Sequence, residues 1–106
     1  MNIIVSTENL TTRLKIIGGL SAAGKESLAD SLDEILSLKV KHVYLDLSLV
    51  PFISSSGIAK LVEFHKKLKG QKAKLTIIDI HENLYHQFTS LNLYKVFKIE
   101  KNMSPE

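Results

Sequence analysis

A chain of 106 residues, 44% hydrophobic and 24% charged, holds enough material for one domain with its own core. It contains no Cys, which excludes a disulfide framework, thiolate-ligated zinc and thiol catalysis. No apolar run is long enough to span a bilayer, and the N-terminus has no basic segment followed by an apolar one, so the sequence predicts a cytoplasmic protein with no membrane partner.

Residues 2–7 alternate as a first strand, with Ile3 and Val5 on one side and Ile4 on the other. Residues 12–17 read as a second strand, and the short Glu8-Asn9-Leu10 link predicts an antiparallel hairpin. Gly18-Gly19 closes it. Ser21 is the natural N-cap of the first helix, whose buried stripe is Leu28, Leu32, Ile35 and Leu36. Glu26, Asp30, Asp33 and Glu34 lie off that stripe as a solvated acidic face; no His joins them at metal-ligand spacing.

Residues 41–47 form a third strand, with Val43, Leu45 and Leu47 at period two and Asp46 closing the run. A second helix is predicted over residues 55–69, with Ile58, Leu61, Val62 and Leu68 on its apolar face and Gly70 at its end. Residues 73–79 are a fourth strand, apolar on both faces, as suits a sheet covered by helices. A third helix over residues 81–91 places Leu84, Phe88 and Leu91 together, Asn92 breaks it, and residues 94–99 make a last strand. Residues 101–106 read as a flexible polar tail. The fold class is therefore α/β: a single domain over residues 1–100, a mostly parallel five-stranded sheet with an antiparallel N-terminal strand, and helices packed against it.

The formal charge of +3 comes largely from Lys66, Lys67, Lys69, Lys72 and Lys74. These lysines fall at a helix end and the turn after it, where cations suit the helix dipole and solvent. No Arg stands among them, so direct nucleic-acid binding is not expected. His65 reads as a packed side chain, and His81 and His86 are too far apart in the helical register to share a metal.

The informative stretch is Ser54-Ser55-Ser56-Gly57, between the third strand and the second helix. Pro51 cannot donate a ladder hydrogen bond, so the strand has ended before it. The serines then sit at a helix N-terminus, where free N–H groups and the dipole favour an anion. Serines before a helix ordinarily do no more than cap it. A hydrolase nucleophile elbow would require Gly at position 53, which is Ile.

Asp46-Leu47-Ser48, Phe52-Ile53 and Ser55-Ser56-Gly57-Ile58 together resemble the central motif of the STAS domain family, and within it the bacterial anti-sigma-factor antagonists. Gly18-Gly19-Leu20-Ser21 is similar to the family's Gly-x-Leu-Asp, and the segment from Leu91 to Ile99 to its closing motif. The resemblance covers nearly the whole chain. It implies a non-enzymatic STAS-like regulator without cofactor or metal. Ser55 would be the phosphoacceptor, and Ser21, Ser54, Ser56 and Gly57 would meet the partner. That partner would be an anti-sigma factor with serine kinase activity, and a serine phosphatase would reverse the modification. Binding would free a sigma factor for transcription, and phosphorylation would block it. Ser54 and Ser21 stand where the family has Asp. This motivates an alternative: a constitutive STAS scaffold subunit of a stress-signalling or lipid-transport complex.

Overall fold

The computed structural model describes residues 2–19 and 25–100. Ser21, expected as an N-cap and partner contact, and the tail after residue 100 lie outside the described residues.

Two residues, Asn9 and Leu10, turn the chain between β1 (Asn2–Glu8) and β2 (Thr11–Ile17). Asn9 takes φ 59°, a left-handed conformation that Asn tolerates. The strands pair antiparallel from Glu8 opposite Thr11 to Asn2 opposite Ile17. Three parallel strands follow, each after a helix: α1 (Lys25–Ser37) and β3 (His42–Leu49), α2 (Ser55–Gly70) and β4 (Lys74–Ile80), α3 (Glu82–Ser90) and β5 (Lys98–Ile99). The sheet order is β1-β2-β3-β4-β5, which makes β3 central.

Because the parallel strands are laid down in succession, right-handed crossovers all step the same way and place their helices on the same face. Burial follows that rule. Leu14, Ile16, Val43, Leu45, Leu47 and Ile77 are fully buried beneath the helices. Arg13, Lys15, His42, Tyr44, Asp46 and Ser48, which alternate with them, are exposed or half-buried. The apolar pattern of β4 had suggested two covered faces, but helices layer only one. α1 and α2 pack side by side. α3 joins them through Phe97, whose ring stacks on Phe88 at 5.9 Å and meets His65 of α2 at 5.5 Å. α2 contributes Leu61, Phe64 and Leu68 to the core, each worth about 1.5–3 kcal/mol on burial.

Several boundaries differ from the sequence expectation. β3 runs on to Leu49, which pairs with Ile17. Asp46 does not end it; within the strand its carboxylate accepts the Ser48 N–H at 3.0 Å and the Ser48 hydroxyl at 2.7 Å. α2 stops at Gly70 as expected, and a left-handed residue follows two positions later, Lys72 at φ 61°. α3 begins one residue later, with His81 as N-cap accepting the Asn83 N–H at Nδ1, and Leu91 is exposed. Residues 94–99 are not one strand. A 3-10 turn at Leu93–Lys95 precedes a two-residue β5. Leu93 and Phe97 are the buried pair there, four apart, and the Phe97 N–H donates to the Leu93 carbonyl at 3.0 Å, so the local period is helical.

Candidate functional site

The segment from Val50 to Gly57 crosses the C-terminal end of the central strand. Val50 is buried and its N–H donates back to the Leu47 carbonyl at 3.1 Å, which starts the turn. Ile53 is buried as well, and both its backbone groups are held by one side chain of α3. Gln87 accepts the Ile53 N–H at 3.5 Å and donates to the Ile53 carbonyl at 2.8 Å. The first contact is long and the second is the stronger. Gln87 thus fixes the chain immediately before the serines. The sequence reading did not single it out. Its signal was a polar residue beside Leu84 and Phe88 on the buried side of α3.

Between these two anchors, Phe52 lies half-exposed over Gly19, where a Cβ would run into the aromatic ring. The glycine after β2 is therefore tied to the Phe of the β3–α2 segment by a direct approach. Leu49 and Phe52 are 48% and 49% exposed, so the segment presents apolar surface. Apolar residues with aromatic character are what the centre of a protein interface requires.

The three serines have different situations. Ser54 is the N-cap of α2, with extended backbone, and its Oγ accepts the Gly57 N–H at 3.2 Å. Its carbonyl accepts the Ile58 N–H at 2.9 Å. The Ser54 hydroxyl also shares a hydrogen bond with the Ser56 hydroxyl at 3.2 Å. Both side chains are half-buried. Ser55, the first helical residue, is exposed, and among the described residues its hydroxyl has no hydrogen-bond partner. Gly57 is buried, so it serves the shape of the turn and offers little surface of its own. The structure brings Ser54, Ser55, Ser56 and Gly57 into one helical turn.

The local field favours an anion on Ser55. No acidic residue occupies the first turn of α2. The positive end of the helix dipole and the uncapped N–H groups of the first turn lie at this end of α2. Lys60, further along, is engaged with Glu63 at 3.8 Å. Among the described residues no cluster of three His, Asp or Glu is placed to hold a metal, and no helix is long and apolar enough to cross a membrane.

The STAS domain model matches residues 2–104, and the chain belongs to that family. Solved structures agree with the fold. An anti-sigma factor antagonist from Mycobacterium paratuberculosis superposes with a TM-score of 0.84 at 15% identity, covering 98% of this chain and 88% of that one. The anti-sigma factor antagonist SpoIIAA in its unphosphorylated form gives 0.72 at 11% identity, covering 92% and 86%. The Bacillus cell fate determinant SpoIIAA in its phosphorylated form gives 0.73 at 12% identity, covering 95% and 93%. No curated protein matches the chain in sequence.

Proposed function

We propose that this protein is an anti-sigma-factor antagonist switched by phosphorylation of Ser55. The observation that carries the reading is the division of labour among the serines: Ser54 caps the helix, Ser56 bonds to Ser54, and Ser55 is exposed with an unengaged hydroxyl. A kinase reaches Ser55 without dismantling the helix start, whereas modifying Ser54 removes the cap. Family membership supports the same reading. So do the neighbours of the same fold described as anti-sigma factor antagonists, one of them in a phosphorylated form.

In this reading the chain is not an enzyme. It supplies a hydroxyl to a partner that is both anti-sigma factor and serine kinase. The unmodified protein docks that partner through the serine turn and the exposed Leu49 and Phe52. Docking frees the sigma factor and so regulates transcription. Phosphate adds about −1.5 to −2 charges at the contact, and a serine phosphatase restores docking. The test is incubation with the serine-kinase anti-sigma factor of the same genome and ATP, followed by mapping of the phosphate. Label on Ser55 supports the switch; label absent from all three serines removes it. Ser55→Asp should weaken capture, and unchanged affinity would count against the contact surface.

A second reading, a constitutive STAS scaffold, draws on Ser54 itself. A neutral hydroxyl committed to capping and to Ser56 stands where the family carries a carboxylate. Capture of a partner that is indifferent to phosphate at Ser55 would favour it.

A further inference from the structure

The opposite end of α2 carries a second feature. From Ser55 to Lys69 the helix climbs about 21 Å at 1.5 Å per residue. There, a cavity of about 360 Å³ opens between the last turn of α2 and the starts of β3, β4 and β5. We propose that this cavity is a binding site for a phosphate-bearing anion, independent of the serine switch.

Charge is the first argument. Lys69, Lys74 and Lys98 line the cavity. Lys98 pairs with Glu100 at 3.4 Å. Among the described residues Lys69 and Lys74 have no carboxylate within ion-pair distance. Three ammoniums against one carboxylate leave a surplus of two positive charges, which a phosphate dianion matches. Such charge-assisted contacts are the strong ones.

Convergence is the second. His42 and His65 also line the cavity. Burial, then Lys74 and Lys98, hold His42 below its ordinary value against the opposing pull of Glu100. Burial, then Lys69, does the same to His65. His42 thus feels the lysines of β4 and β5 and His65 that of α2, and an anion seated among them would relieve that repulsion.

The walls are the third. Thr76, only 2% exposed, bonds through its hydroxyl to His42 Nε2 at 2.8 Å, which fixes that ring. His42 also stacks on Tyr44 at 4.1 Å. Among the described residues the buried Nδ1 of His65 has no hydrogen-bond partner. Ala73, Leu75 and Val96 supply an apolar side that an organic ester could cover. The C-terminal carbonyls of α2, which would repel an anion, are already occupied: those of Lys67, Leu68 and Lys69 accept N–H groups from Gln71, Ala73 and Lys72. A volume of about 360 Å³ lies at the small end of ordinary ligand pockets, about 300–1,000 Å³.

The experiment is an amide NMR titration of the full chain with inorganic phosphate and, separately, with adenosine monophosphate at low salt. Saturable shifts centred on His42, Lys74, Thr76 and Lys98 are expected. Tighter binding of the nucleotide identifies an organic phosphate as the ligand, and equal binding identifies the free anion. Lys74→Gln with Lys98→Gln should weaken either probe about tenfold, while Lys60→Gln, in the second turn of α2 and outside the cavity, should not. The His42 ring should titrate at higher pH with the anion bound. No saturable shift up to about 10 mM, or shifts that sodium chloride reproduces, would overturn the proposal.

Discussion

Replacing Ser54 with Ala deletes the capping hydrogen bond at the start of α2, from the Gly57 N–H to Oγ at 3.2 Å, together with the hydroxyl bond to Ser56 at 3.2 Å. Loss of an N-cap costs about 0.5–2 kcal/mol, and a contact of this length belongs in the lower half of that range. A cost of about 1 kcal/mol lowers the melting temperature of a domain this size by about 4–8 °C. Ser55→Ala removes a hydroxyl with no partner and should change stability by less than about 0.5 kcal/mol. Thermal and urea unfolding of the two variants side by side provide the assay. The reasoning is refuted if Ser55→Ala costs as much as Ser54→Ala, or if Ser54→Ala is neutral.

Gln87→Ala strips the clamp from Ile53 and should cost about 1–2 kcal/mol, with amide exchange at residues 53–57 accelerated in hydrogen-exchange measurements; unaltered exchange would contradict the clamp. Phe88→Ala, at a fully buried position against Phe97, should cost about 3–5 kcal/mol in urea unfolding. Gly19→Ala should displace the Phe52 ring, seen as shifted ring-proton resonances, and weaken partner capture more than it lowers stability. His42 and His65 both sit below the usual 6.5 in the folded protein. The unfolded chain therefore binds more protons below that value, and stability should be full above pH 6.5 and fall as pH drops toward the folded values. A urea midpoint that rises between pH 7 and pH 5.5 would contradict this.

The order of elements was legible because the apolar period changes cleanly along the chain. Val43, Leu45 and Leu47 alternate and are all buried, while Leu28, Leu32 and Ile35 follow a helical stripe and are buried too. The serine turn was legible for the same reason: the period switches across Pro51, and Ser54 is where the cap falls. What local pattern could not supply was cross-strand and cross-helix information. Thr76 reads as an ordinary strand residue until register sets Tyr44 opposite it and His42 bonds to it. Gln87 reads as a surface amide until α3 docks beside Ile53. Lys98 joins Lys69 and Lys74 only because β5 pairs with β4. The end of the chain misled because Leu93 and Phe97 bury together at a spacing of four, so β-rich composition there yields a turn.

The most direct measurement is the affinity of the unmodified and the Ser55-phosphorylated protein for the serine-kinase anti-sigma factor of the same genome, by calorimetry at one salt concentration. The account predicts measurable binding of the unmodified form and at least about tenfold weaker binding after phosphorylation, about 1.4 kcal/mol. Equal affinities for the two forms would contradict it.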